Sequence, residues 1–412
     1  MEKPAIIGGR PVRKNFLLPF KPAIGKEEMN AVLNVLRSGW ITTGPRVHEF
    51  EEQAKAYLGS KQAIALSSCT AALHLALVVA GVGQGDEVIT TPFTFISTVN
   101  VIVHQKATPV LVDIERDYYT IDPKKIERAI TKKTKAIIAV HYAGQPAALA
   151  EIKKIAKKYK LFLIEDAAHA MGTEYQGEKI GKQSDAACFS FYAAKNLAMA
   201  EGGLLVFKNP ALAKKARLYS LHGMSRDAWK RYSASGSWYY EVLVPGFKYN
   251  LTDIQAAMGL EQLKKLEGFF ERKRAIAKLY NEAFGAIPEL SIPKVRASST
   301  HTYYLYPLLL NTKKLAINRD KFIDALKAEN IGTSVHFIPV HLHPYYQKTF
   351  DFKKGDFPVT EWVFDRILSL PIHAAMTMND ANDVVRAVQK IIHYYKLNPT
   401  VSLRTERFSS NS

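Results

Sequence analysis

The chain is poor in cysteine. Its 412 residues include only Cys69 and Cys188, too few for a disulfide framework, which fits a reducing compartment. Long hydrophobic runs are missing too: no stretch approaches the length that spans a bilayer. The opening residues, MEKPAIIGGRPVRKN, have no apolar core of the kind a secretion signal carries. A soluble, cytoplasmic protein with no membrane insertion is therefore expected. Acidic residues are scarce beside basic ones, 38 Asp and Glu against 56 Lys and Arg, for a formal charge of +18. Such an excess can serve nucleic acid, a membrane surface or an anionic small molecule. No basic tail interleaved with aromatics is present. In IKKIAKKYK (152–160), Ile152, Ile155, Ala156 and Tyr159 form one apolar stripe and the lysines face away. Those lysines read as a solvated face, and nucleic acid is not expected as a partner. Internal repeats and low-complexity segments are absent.

What is present is a regular alternation. QAIAL (62–66), EVIT (87–90), TPVLVD (108–113), TKAIIAV (134–140), LFLIED (161–166), AACFSF (186–191) and GLLVF (203–207) read as strands. Between them lie helices such as TAALHLALVVA (70–80) and TFISTVNVIVHQ (94–105). Alternation of this kind predicts an α/β fold with a mostly parallel central sheet and helices on both faces. After residue 250 the pattern changes to a long helix, LTDIQAAMGLEQLKKLEGFFERKRAIAKLYNEAF, with Thr252 as its N-cap. A strand TYYLYPLLL (302–310), a helix RDKFIDALKAEN (319–330) and GTSVHF (332–337) complete a smaller C-terminal α+β domain. The expected boundaries are 15–250 for the large domain, 251–396 for the small one, and 397–412 for a polar tail.

In open α/β sheets, ligands bind beyond the carboxyl ends of the strands. After QAIAL comes Ser67-Ser68-Cys69-Thr70-Ala71, entering a helix whose first N–H groups favour a phosphate. After LFLIE comes Asp166-Ala167-Ala168-His169, a carboxylate among small residues. After AACFSF comes Tyr192-Ala193-Ala194-Lys195, followed by Gly202-Gly203. A lysine kept from water can act as a nucleophilic amine and form a Schiff base. A helix terminus for phosphate, a strand-end aspartate for a ring nitrogen and an internal lysine for an aldehyde are together what pyridoxal 5'-phosphate needs. Phe95 is placed to lie over the ring. Two other motifs are set aside. GVGQGDE (81–87) imitates a dinucleotide loop but follows a helix and precedes a strand, the wrong order. VHFIPVHLHPYY (335–346) offers His336, His341 and His343 without a nearby acidic or cysteine partner, so no metal is expected.

The chain resembles the DegT/DnrJ/EryC1/StrS sugar-nucleotide aminotransferases, which are fold-type-I pyridoxal phosphate enzymes. The resemblance is carried by SGWITTGPRVHEFE (38–51), ALSSCTAALHLAL (65–77), GDEVITTPFTFISTVN (85–100), AIIAVHYAGQPA (136–147), IEDAAHAMGTEYQGEKIG (164–181), FSFYAAKNLAMAEGG (189–203), YNLTDIQAAMGLEQL (249–263) and GTSVHFIPVHLHPYY (332–346). Together these cover residues 15 to 395. Within the family, GWITTGP, EDAAHA and the YNLTDI helix are most similar to the branch that makes UDP-4-amino-4-deoxy-L-arabinose with glutamate as donor.

The resemblance implies a role for each matching residue. Lys195 would hold the cofactor and carry the proton. Asp166 would pair with the ring nitrogen, and His169 would lie near the ring hydroxyl. Thr70, Ala71 and Ser190 would bind the phosphate, and Phe95 would stack on the ring. Asn250 would reach the phosphate of the other subunit in a homodimer with shared active sites. Tyr192, Arg231 and His336 are expected near the sugar or its diphosphate. Phe95 and Tyr192 stand where the arabinose branch more often has Trp and His. The implied reaction moves an amino group from L-glutamate to the 4-keto carbon of a nucleotide-linked sugar, leaving 2-oxoglutarate. A UDP-4-keto-pentose is the first expected substrate, for cell-surface polysaccharide or lipopolysaccharide sugars. A 4-keto-6-deoxyhexose linked to UDP, GDP or dTDP is the alternative. Family members that deoxygenate sugars carry histidine in place of the lysine, so Lys195 argues against that activity. A non-catalytic cofactor-binding sensor or scaffold is the remaining alternative, and no added recognition domain supports it.

Overall fold

The computed structural model describes residues 2–225 and 239–397. Arg231 and almost all of the polar tail lie outside the described residues. Thirteen strands are present among them, numbered along the chain. The central sheet holds β1 (Gln62–Leu66), β2 (Glu87–Thr90), β3 (Thr108–Leu111), β4 (Thr134–Val140) and β5 (Phe162–Asp166). After a short hairpin of β6 (Glu174–Tyr175) and β7 (Glu178–Lys179), β8 (Ala186–Ser190) and β9 (Gly203–Phe207) complete it. Its order is β1-β9-β8-β5-β4-β2-β3. Only β9 runs against its neighbours; the pairs β3–β2–β4–β5–β8 are parallel. The carboxyl ends of six strands therefore share one edge.

The two-residue period of each strand divides its side chains between two cores. Ile64, Ile138, Ile164 and Leu205 join the Cys69–Val79 helix on one face. Ala63, Ile137, Leu163 and Leu204 pack on the other face against Phe50, Ile152 and Phe270. A sheet covered on both faces needs apolar residues at every position, which is why these strands read as continuous apolar runs. Each fully buried Leu, Ile or Phe adds about 1.5–3 kcal/mol.

A second, antiparallel sheet is formed by β10 (Leu290–Ser291), β12 (Tyr306–Leu310) and β13 (Ile367–Leu370) in the order β10-β12-β13. The Asp253–Phe284 helix starts with the expected Thr252 cap, whose hydroxyl accepts from the Gln255 N–H. Its residues up to Phe270 pack Ala256, Leu260 and Phe270 into the large core, and the remainder packs Ile276, Tyr280 and Phe284 under the small sheet. The strand β11 (Ser299–Thr300) pairs with β6, Ser299 opposite Tyr175 and Thr300 opposite Glu174. That pairing brings the segment after Thr300 back to the large sheet.

Some elements are shorter than the periodicity predicts. The helix expected over 94–105 runs from Ser97 to His104, and Thr94 and Phe95 belong to the irregular segment that follows β2. TYYLYPLLL is strand only from Tyr306 onward. GTSVHF contributes one bridge, Ser334 to Ser369, and no strand. Tyr159 leaves the predicted apolar stripe and is exposed, whereas Ile152, Ile155 and Ala156 are buried. Among the described residues, no helix is long and apolar enough to cross a membrane.

Gly203 sits where β9 passes the entrance of the Cys69–Val79 helix. A Cβ there would lie 2.3 Å from the Ser68 carbonyl carbon and 2.6 Å from the Cys69 nitrogen. Backbone cannot yield as a flexible side chain can. Gly203→Ala is expected to cost about 3 kcal/mol and to weaken phosphate binding at the helix entrance. Urea unfolding and phosphate titration check both effects.

Candidate active site

Strand ends and the loops that follow them converge on one cavity of about 660 Å³. Its wall includes Ser68, Cys69, Thr70, Phe95, Asp166, His169, Ser190, Tyr192, Lys195 and His336. Most of the residues expected from the sequence are therefore together. Two are not part of this wall. Ala71 is buried, and its N–H donates to the Ser68 hydroxyl at 3.1 Å. Asn250 lies outside the cavity of its own chain, where its amide donates to Thr43 Oγ1 at 2.7 Å and its oxygen accepts from Lys248 Nζ at 2.6 Å. Arg231 lies outside the described residues.

Lys195 stands on a loop closed by its own backbone. Phe191 N–H donates to the Gly202 carbonyl, Met199 N–H to Phe191 and Lys195 N–H to Tyr192, each at 2.8 Å. Leu197 and Met199 anchor the loop in the core. Met199 lies so close to the Asp253–Phe284 helix that a Cβ at Gly259 would be 2.0 Å from its Cε. Lys195 itself is half-buried, and its Nζ donates to the Tyr304 hydroxyl at 3.2 Å.

Asp166 ends β5 and is buried. Oδ2 accepts from the Thr98 hydroxyl at 2.6 Å, and Oδ1 from the Ala168 N–H at 3.2 Å. No ion pair to Asp166 is formed among the described residues. Burial raises its carboxyl above the ordinary aspartate range, against the opposing pull of these hydrogen bonds, Lys195 and His141. A buried carboxylate on a cavity wall, without a cation in contact, is poised for a cationic N–H from a ligand. Behind it, His141 Nε2 donates to Glu165 at 2.8 Å, and Ser184 donates to the same carboxylate. His141 Nδ1 accepts from the Ala147 N–H at 3.0 Å, which fixes the ring's tautomer.

His169 stacks on Tyr304, with ring centroids 4.2 Å apart. Its Nδ1 accepts from the Ala143 N–H at 3.2 Å, so Nε2 carries the ring proton. Burial, with Lys195 nearby, lowers its pKa well below the usual histidine value and keeps the ring neutral. His336 is pushed down to about 4, first by burial and then by Lys195. Its Nδ1 meets Ser369 Oγ at 2.9 Å. His341 instead pairs with Glu361 at 2.9 Å, and His343 is half-buried nearby.

The phosphate end follows from the helix entrance. Ser68 caps the Cys69–Val79 helix, and the first-turn N–H groups of Cys69 and Thr70 have no intrahelical acceptor. Ser190, at the end of β8, lines the same cavity and pairs with Gly203, the residue that packs against Ser68 and Cys69.

Sequence reading missed several neighbours. Ser68 was seen only as part of a helix entrance. His141 directly follows β4, so the rule that finds Asp166 also finds it; Thr98 lies in the first turn of the Ser97–His104 helix, where that rule does not reach. Tyr304 and Phe20 carry no signal, because aromatic residues inside apolar runs read as core; Phe337 lies within the GTSVHFIPVHLHPYY stretch, but nothing in that stretch gives it a role. Lys273 was one lysine among many, yet it is buried, and its Nζ donates to Asn196 Oδ1 at 2.5 Å. Burial lowers its pKa to about 7. The unfolded chain binds that proton up to the ordinary lysine range, so between pH 7 and about 10 stability rises with pH. Lys273→Met is expected to gain on the wild type as pH falls from 9.5 to 7, read from urea midpoints at the two values.

Residues 22–389 match the DegT/DnrJ/EryC1/StrS aminotransferase family. The spore coat polysaccharide biosynthesis protein SpsC of Bacillus subtilis is 50% identical over 382 residues, 92% of this chain and 98% of SpsC. The solved Streptococcus pneumoniae protein Spr1654 in its PLP form is 31% identical with a TM-score of 0.86, covering 92% of this chain and 99% of that one; a PMP form superposes equally well. Helicobacter pylori PseC, an aminotransferase involved in the biosynthesis of pseudoaminic acid, is 31% identical with a TM-score of 0.86 over 93% of this chain and all of PseC.

Proposed function

The chain belongs to the DegT/DnrJ/EryC1/StrS aminotransferase family, and on that premise we propose that it transfers the amino group of L-glutamate to the 4-keto carbon of a nucleotide-diphosphate sugar. It is a pyridoxal phosphate-dependent aminotransferase of fold type I. The observation that carries the reading is the meeting of Lys195, the unpaired buried Asp166 and the Ser68–Thr70 helix entrance in one cavity.

These residues fit the cofactor. When bound, pyridoxal phosphate supplies an electron sink through which an amino group is exchanged between two carbonyl carbons. Lys195 is the attachment point. Once displaced, its amine takes the proton from Cα of glutamate and, in the second half of the exchange, delivers a proton to C4 of the sugar. Asp166 would hold a positive charge on the ring nitrogen. The neutral His169 would offer Nε2–H to the ring oxygen. Thr70, Ser190, Ser68 and the Cys69 and Thr70 N–H groups would receive the phosphate, and Phe95 would cover the ring. The Ala71 N–H, which donates to the Ser68 hydroxyl here, would complete the cradle.

Asn250, displaced from its own cavity, completes the site of a second subunit in a homodimer. Tyr192 and His336, on the cavity wall, would meet the sugar or its diphosphate, and Arg231, which lies outside the described residues, is the third candidate for these contacts. Two sugar classes are to be separated. The GWITTGP, EDAAHA and YNLTDI stretches favour a UDP-4-keto-pentose. The apolar wall of Phe20, Phe95 and Phe337 favours a 4-keto-6-deoxyhexose, whose C5 methyl such a wall would cover. One methyl is worth about 1–3 kcal/mol, so the preference is expected as a kcat/KM ratio of about tenfold or more. A panel of UDP-, GDP- and dTDP-linked 4-keto sugars with glutamate, read by product mass, decides between them. No amino sugar from any member of the panel would overturn the proposal.

A further inference from the structure

The side chain in direct contact with the Lys195 amine is one that no motif singled out. Tyr304 lies just before β12, delivered to the cavity by the β11–β6 pairing. It is buried, and its hydroxyl accepts from Lys195 Nζ at 3.2 Å. Its position is fixed on three sides. One face stacks on His169 at 4.2 Å. Lys195 Nζ stands 4.4 Å from the ring centroid, and Lys273 Nζ stands 5.8 Å from it. Below, Lys273 donates to Asn196, and Asn196 donates to Thr302 Oγ1 at 3.3 Å. Thr302 in turn meets Thr173 Oγ1 at 3.2 Å, and Thr173 donates to the Gly144 carbonyl at 2.9 Å. This chain of bonds ties the residue after Lys195 to the residue two before Tyr304. The lysine and the phenol are thus set in register by the same buried network.

We propose that Tyr304 is a further catalytic residue, whose hydroxyl receives the amine of Lys195 when that amine is released and holds it beside the reacting carbon. This rests on the reading that Lys195 is the proton carrier. A flexible four-carbon amine gains from such a partner because transfer requires it in one position within hydrogen-bond reach. A hydroxyl can accept from the ammonium and donate to the neutral amine, so it remains a partner through both protonation states. Lys273, Asn196 and Thr302 act through these two residues as positioning groups.

The test is Tyr304→Phe, which removes one oxygen and leaves the ring stacked on His169. Two readouts are combined. In cofactor-loaded protein, the single-turnover rate with glutamate is expected to fall about 10- to 100-fold, with KM for glutamate and cofactor affinity within about threefold of the wild type. In cofactor-free protein, labelling of Lys195 by acetic anhydride, mapped by peptide mass, is expected to rise at least about threefold, because the amine has lost its partner, while surface lysines are unchanged. The proposal is overturned if rate and labelling both stay within about twofold of the wild type. It is equally overturned if the rate falls only in step with lost cofactor affinity, which is what a packing role predicts. A wild-type protein that shows no glutamate turnover would sink the reading of Lys195 as the proton carrier, whereas unchanged Lys195 labelling in cofactor-free Tyr304→Phe would sink the Tyr304 contact by itself, so the two failures are distinguishable.

Discussion

Lys195→Ala is expected to lower the glutamate half of the exchange by about 10³-fold or more, while the variant keeps the far-ultraviolet circular dichroism of the wild type. The fold should survive because Lys195 contributes little to the core. Its loop is held by the backbone bonds at Phe191, Met199 and Gly202 and by buried Leu197 and Met199. Among the described residues the amine makes one hydrogen bond, to Tyr304. Rapid mixing with glutamate, followed at the visible band of the bound cofactor, measures the loss. A small added amine should restore part of the rate, since the cavity vacated by the side chain lies on a wall open to the ligand. A variant that kept a tenth of the wild-type rate would remove Lys195 from the chemistry.

The second large effect is at Asp166. Asp166→Asn keeps the shape and the hydrogen bond from Thr98 but removes the charge. With cofactor bound, the rate is expected to drop about 10²–10³-fold, the usual scale for losing one preorganised electrostatic partner in a dry site. Without cofactor, the same change should stabilise the protein. Burial raises the Asp166 carboxyl in the folded state, so the folded chain binds a proton that the unfolded chain has released. Stability is then full below the ordinary aspartate range and is lost as pH rises through the folded value. Cofactor-free Asp166→Asn should therefore melt higher than the cofactor-free wild type at pH 7.5, with the gap closing toward about pH 4. Adding pyridoxal phosphate should narrow or reverse the gap, because the wild-type carboxylate then gains its cation. Melting curves at two pH values, with and without cofactor, read all four quantities.

These residues were legible because strand ends are legible. Asp166, Ser190 and Lys195 each lie at or just after the end of an apolar run that reads as a doubly covered strand, and every such run in the central sheet except β9 points its carboxyl end at one edge. The helix entrance at Ser68 follows from the same rule. The boundary of that rule is the second sheet. Tyr304 sits in TYYLYPLLL, where every residue looks like core, and nothing local tells that Tyr306 begins the strand while Tyr304 turns into the cavity. Its position comes from the two-residue pairing of β11 with β6, a contact between residues more than a hundred positions apart. Lys273 was hidden differently. Its helix carries several lysines, and only the tertiary placement shows that this one points at Asn196 rather than at water. Asn250 is the residue that the cavity does not gather: its partners in this chain are Thr43 and Lys248.

The central claim is that Lys195, and no other lysine, carries the cofactor. Lys273 is the natural rival, being more deeply buried and having its pKa lowered to about 7. Borohydride reduction of the pyridoxal phosphate-loaded protein, followed by proteolysis and mass measurement of every lysine peptide, distinguishes them. The predicted result is one reduced pyridoxyl phosphate per chain, confined to the peptide that contains Lys195. An adduct on the Lys273 peptide, or none at all in protein that retains the visible cofactor band, would contradict the account.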